Sequence, residues 1–277
     1  MRTPLRTLAL AALLAVTPAA ARAVTVSPNA LFIDSRTRSG VLTLYNPGTT
    51  AEEIEITFAF GYPRSDLAGA ISVALADSAA PGEPSVLGFV RAFPRRLRLE
   101  PGQRQTVRIL MQPPAGLPQG EYWGRVLIHS RGGRPPVEQQ QGGIRMQIDL
   151  ETVIVGAVNY RNGIMQTGVA VDSARMAIIA GGDSVRVVTD LQRRGNAAYL
   201  GHMTLELVAA DGRVLGTVEE DLAVYRTLRK VQSIAVPPRT SLLGASVRYR
   251  LTTERPDIDA ESRLSADPVT GVVALTR

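Results

Sequence analysis

The chain has 277 residues, of which 45% are hydrophobic and 20% charged, and it contains no cysteine. That length suits two domains of ordinary size with apolar matter for two cores, and the missing thiols exclude disulfides, thiolate metal sites and thiol catalysis. The net charge is +6; without Arg2, Arg6 and Arg22, which belong to a candidate export signal, the remainder is +3, too small and too scattered to argue for a nucleic-acid surface.

In chain order, the first element is that signal. Arg2 and Arg6 make a positive start, residues 8–16 (LALAALLAV) form an apolar run, Pro18 breaks it, and Ala21-Arg22-Ala23 offers small residues before a cleavage point. The expectation is a signal peptide over 1–23, because the run is too short for a membrane anchor, which needs ~20 residues. No later segment is apolar enough to span a bilayer.

Beyond it the pattern has period two. Residues 41–45 run into the turn Asn46-Pro47-Gly48, and residues 52–60 (EEIEITFAF) alternate as a half-buried strand does. Residues 96–99 alternate again before the turn Pro101-Gly102, followed by strands over 105–111 and 122–129. Residues 61–88 read as a loop around a weak strand at 71–75, and 130–142 as a flexible polar segment. The clearest alternation follows: Ile144, Met146, Ile148, Leu150, Thr152 and Ile154 share one face, with Arg145, Gln147, Asp149 and Glu151 on the other.

Residues 160–163 (YRNG) mark the candidate domain boundary. Further strands are expected over 185–191, 202–208, 213–218, 231–236 and 247–252, with turns at Gly195-Asn196 and Asp211-Gly212. Short strands joined by antiparallel turn chemistry predict a sandwich, and neither half carries the cysteine pair of an antibody domain.

Chemistry is sparse. His129 and His202 are the only histidines, each inside a strand-like run, and neither stands beside an acidic cluster suited to a metal. There is no phosphate loop, dinucleotide fingerprint or Gly-x-Ser-x-Gly elbow. The acidic run Glu219-Glu220-Asp221 reads as a solvated turn or strand edge. The expectation is a protein without metal or cofactor that is not an enzyme.

In this order the residues resemble the periplasmic pilus (fimbrial) chaperone family. The likeness covers residues 24–160 and weakens afterwards. Residues 24–28 and Leu31-Phe32 look like the family's first strand, and residues 42–46 like its second. The most specific stretch is Pro94, the alternating residues 96–99, Pro101-Gly102 and residues 105–108. Residues 122–126 look like the sixth strand, and the run from Ile144 like the seventh.

The resemblance implies an all-β chain of two immunoglobulin-like β-sandwich domains, 24–160 and 161–277, meeting at an angle over a cleft. It also implies export to the periplasm, and as partners a pilus-like subunit and an outer-membrane usher. The seventh strand would complete the subunit's own sandwich, which makes Ile144, Met146, Ile148 and Leu150 the client-binding ladder. The other reading of that run is that it packs inward in its own domain. The family also holds the client's terminal carboxylate with two basic cleft residues. Here Asn29 or Ala30 stands at the first position and residues 151–160 hold no Lys or Arg, so Arg161 is the candidate carboxylate anchor. The alternative function is a structural or adhesive envelope protein with two such domains and no client.

Overall fold

The computed structural model describes residues 23–132, 137–141, 144–148, 151–179 and 181–274, with 137–141 and 144–148 described by their strand pairing alone. The expected signal peptide, up to its final Ala23, lies outside the described residues, as does Leu150.

The first half of the chain forms β1 (Thr25–Ser27), β2 (Ala30–Asp34), β3 (Ser39–Tyr45), β4 (Glu52–Ala59), β5 (Pro63–Ser65), β6 (Ile71–Val73), β7 (Val90–Phe93), β8 (Arg96–Leu99), β9 (Arg104–Met111), β10 (Gly120–Gly132), β11 (Val137–Gln141), β12 (Ile144–Ile148) and β13 (Glu151–Asn162), of which β5 with β6 and β11 with β12 are two-stranded hairpins outside the first sandwich. One sheet runs β1-β3-β9-β7 and the facing one β2-β13-β10-β4-β8. Alternation decides what each strand buries: β4 turns Ile54 and Ile56 inward, and β9 turns Val107, Ile109 and Met111 inward between exposed Arg104, Thr106 and Arg108. These close one core with Leu42, Leu44, Val126, Ile128, Val158 and Tyr160. The Asn-Pro-Gly turn is fixed by fully buried Asn46. Its Nδ2 donates to the carbonyls of Thr50 at 2.8 Å and Leu99 at 3.0 Å, and its Oδ1 accepts from the Gly48 N–H at 2.9 Å.

The opening strand changes sheets. β1 pairs antiparallel with β3, and after Pro28 and Asn29 the chain crosses so that β2 lies parallel to β13, Ala30 to Asp34 matching Ala157 to Arg161. β13 therefore has β10 on one side along its whole length, and β2 on the other side for only part of it.

The second sandwich has one sheet of β14 (Thr167–Ile178), β15 (Ser184–Gly195) and β18 (Thr227–Ala235), and a second ordered β17-β16-β19-β20 from β16 (Tyr199–Val208), β17 (Val214–Val224), β19 (Ser246–Thr252) and β20 (Val269–Ala274). Val185, Val187, Leu191, Met203, Leu205, Leu207, Leu222, Val247 and Leu251 fill its separate core. The chain is thus all-β with two immunoglobulin-like sandwiches. No described helix is long and apolar enough to cross a membrane.

Tyr199 sits in the second core with its hydroxyl donating to the Thr252 carbonyl at 2.8 Å. Burial pushes its phenol from 10.0 up to about 12. The unfolded phenol loses its proton first as pH rises, so this group leaves stability constant below pH ~10 and lowers it from there until the folded phenol also ionises. Tyr199→Phe should flatten that limb of an alkaline denaturation curve; an unchanged limb would assign it to other groups.

Candidate functional site

The partial cover of β13 creates an edge. The Ala157 N–H donates to the Asn29 carbonyl at 2.9 Å, so residue 157 points its backbone groups toward β2. By the two-residue repeat of a strand, Val153 and Val155 point theirs the same way, where β2 no longer reaches. Among the described residues these groups have no strand partner. Their side chains lie on the outer face, 43% and 46% exposed, next to half-buried Leu127, while Ile154 turns to the core. An unpaired edge flanked by exposed apolar side chains is what an added strand needs.

The start of β13 is tied down. His129 on β10 bridges its neighbours, with Thr57 Oγ1 2.9 Å from Nε2 and Glu151 Oε1 3.1 Å from Nδ1; Arg131 also meets Glu151 at 3.0 Å. Hydroxyl, imidazole and carboxylate stand in the order of a nucleophilic site. Here, however, Thr57 lies mid-strand within the β4–β10 ladder. The cations around the adjoining depression of about 460 Å³ already have partners, Arg96 with Glu55 and Arg98 with Glu100. The arrangement acts as a tie across three adjacent strands.

Further along, β13 runs into a cleft of about 510 Å³ between the two sandwiches, lined by Asn29, Ala30 and Phe32 on one side and Leu200, Ala223 and Tyr225 on the other. Two arginines line it. Arg255 is committed, forking onto Asp257 at 2.7 and 2.6 Å and donating to the Leu222 carbonyl at 3.1 Å. That pairing holds the Asp257 carboxyl below its ordinary value and raises the Arg255 guanidinium. Arg125 on β10, nearly buried, donates from Nε to the Gly61 carbonyl at 2.9 Å and lies over the Tyr225 ring at 5.5 Å. Its partner across the ladder is Ala157, where β13 leaves its free edge and enters the cleft.

Arg161 lies at the seam between the sandwiches. It stacks over Phe32 at 4.4 Å, donates from Nε to Glu121 at 2.9 Å and from Nη1 to the Ser262 carbonyl at 2.6 Å. Glu121, with its side chain 1% exposed, also accepts from the Trp123 indole at 3.0 Å and the Ala198 N–H at 3.1 Å. Around it, Phe60, Tyr62 and Trp123 of the first sandwich pack with Ala198 and Tyr225 of the second.

Of the expected ladder, Ile144, Met146 and Ile148 lie on β12, which pairs antiparallel with β11 from Val137↔Ile148 to Gln141↔Ile144, and Leu150 lies outside the described residues. Arg125 was not singled out by sequence reasoning. Its signal is that it shares an outer face with Trp123, Leu127 and His129, a cation set between two large apolar side chains. Glu219, Glu220 and Asp221 lie on β17, where Glu220 pairs with Lys230 and Asp221 meets His202 at 2.9 Å. No cluster of three or more metal-ligating side chains occurs among the described residues.

No protein-family model matches the sequence, and no curated protein does. Among solved structures, a chain of the complex of Salmonella enterica SafA pilin with the SafB chaperone is 15% identical, with 90% of this chain and 96% of that chain covered and a TM-score of 0.41. The Pseudomonas aeruginosa CupB2 chaperone is 15% identical over 91% of this chain and 100% of that chain, with a TM-score of 0.40. The E. coli chaperone DraB is 11% identical over 90% and 97%, with a TM-score of 0.41. These structural neighbours are chaperones.

Proposed function

We propose that the protein is an exported, non-enzymatic chaperone of the periplasm that holds a strand of a pilus-like subunit against the free edge of β13. The observation that carries this reading is the edge over 151–156, which has no strand partner on that side among the described residues, is flanked by exposed Val153 and Val155 and leads into the cleft beside Arg125. Main-chain hydrogen bonds supply affinity and alternate apolar side chains supply fit. The family resemblance in residues 24–160 supports it independently.

In this reading the N-terminal domain, 24–160, carries the client and 161–277 closes the cleft. The client strand continues from the edge past the ladder Ile144, Met146, Ile148 and Leu150. Its terminal carboxylate is held at the cleft by Arg125, with Arg161 holding the seam behind it. The completed complex is handed to an outer-membrane usher, and no cofactor takes part.

The test is Val155→Pro. Proline removes the N–H aimed at the client and none that bonds β10, and edge strands tolerate it on their open side. The variant should lose co-purification with a pilus-like subunit of the same organism, with the melting temperature little changed. Retained co-purification would end this reading and leave the client-free envelope protein.

A further inference from the structure

We propose that the hairpin of β5 and β6 is a strap that fixes the angle between the two sandwiches. It leaves the first sandwich at Phe60, which exchanges backbone hydrogen bonds with Ala76 at 2.8 and 2.9 Å, and its tip is closed by Asp66, whose carbonyl accepts from the Gly69 N–H at 3.1 Å. Neither strand joins the sheets of its own sandwich. The first arm turns instead to the second sandwich.

Its contacts there are consecutive. Tyr62, buried, stacks on Tyr225 at 5.8 Å. Ser65 Oγ accepts from the Arg229 N–H at 2.6 Å, and the Leu67 carbonyl accepts from Arg229 Nη1 at 3.4 Å. Gly69, with φ +84°, lies against Val231 so closely that a Cβ there would stand 2.5 Å from Val231 Cγ2. Arg229 and Val231 belong to β18, the outer strand of its sheet, and the Arg229 N–H points away from β15. The strap thus covers an edge that would otherwise be open. Arg229 is itself held by a two-pronged pair with Asp190 on β15 at 2.6 and 3.0 Å, so what the strap grips is stiff.

The same arm reaches the cleft at its other end. Gly61, which accepts from Arg125 Nε, is the residue before Tyr62, and Pro63 lines the cleft. A shift of the strap on β18 therefore moves both the cleft wall and the carbonyl that orients Arg125. Only this last consequence, on client binding, rests on the proposed function; the fixing of the angle does not.

The experiment is Gly69→Val, read by residual dipolar couplings on the full chain. Any side chain at this position meets Val231 and is strained by the positive φ. In the unsubstituted protein one alignment tensor should fit both sandwiches. In Gly69→Val each sandwich should keep its own fold but require a different tensor. A single shared tensor in the variant would overturn the proposal. If Gly69→Val leaves either sandwich unfolded, Ser65→Ala, which removes a hydrogen bond and no packing, is measured in the same way and the same two outcomes decide. Val155→Pro should retain the single tensor whether or not it binds a subunit, so a failure of the strap and a failure of the chaperone reading are told apart.

Discussion

Glu121→Ala is expected to destabilise the protein by about 3–5 kcal/mol in urea unfolding, the cost of leaving a buried charge without its partner. Its carboxylate, 1% exposed, gathers three donors: the Arg161 guanidinium, the Trp123 indole and the Ala198 N–H. The alanine strands Arg161, itself only 11% exposed, at the seam of the two sandwiches. Glu121→Gln keeps one oxygen that both the indole and the Ala198 N–H can share and should cost less, losing only the acceptor of Arg161. Arg161→Ala should be severe by itself, but adding it to Glu121→Ala should cost far less than the sum, because the two groups answer one another. A loss below about 1 kcal/mol for Glu121→Ala, the range of exposed pairs, would show that water reaches this pair.

Arg125→Ala should weaken binding of a pilus-like subunit about 10- to 100-fold, since a hydrogen bond to a charged group contributes ~1.5–3 kcal/mol. Amidating the subunit's C-terminus should cause a loss of similar size. The two changes together should be no worse than either alone, because both remove one interaction. Additive losses would mean that Arg125 and the carboxylate do not meet. A neutral amidation would remove the cleft from the binding site, while leaving the β13 edge in place. Arg255 is the internal control: Asp257 and the Leu222 carbonyl already occupy its guanidinium, so it has little to offer an incoming anion.

Legibility in the sequence followed burial on one face. β4 and β9 alternate because a single face of each meets the core, and their positions could be read directly. β14 was missed: among its twelve residues only Val169 and Met176 are buried, and the register shift between Val171 and Ser173 interrupts the period.

Around the candidate site, the strand pattern that becomes β13 was legible, with Arg161 near its end. The partner of Arg161 was not, because Glu121 is forty residues away and only the pairing of β10 with β13 brings them side by side. Arg125 and the strap are invisible for a related reason. Ser65 and Gly69 carry ordinary turn chemistry, and what distinguishes them is a second domain more than a hundred residues further along the chain.

The seam also carries its own lamp. The chain has one tryptophan, and Trp123 sits between the sandwiches with the Tyr62 and Tyr225 rings 5.5 and 4.9 Å away. All indole emission therefore comes from the junction of the two domains, and neighbouring phenols can feed it by energy transfer. With the indole 1% exposed, that light is shifted to the blue of a dry environment. A parting of the two halves with both sheets intact would admit water to the ring and change the colour without changing the ellipticity. Opening and unfolding thereby become two separate optical events in an unlabelled sample.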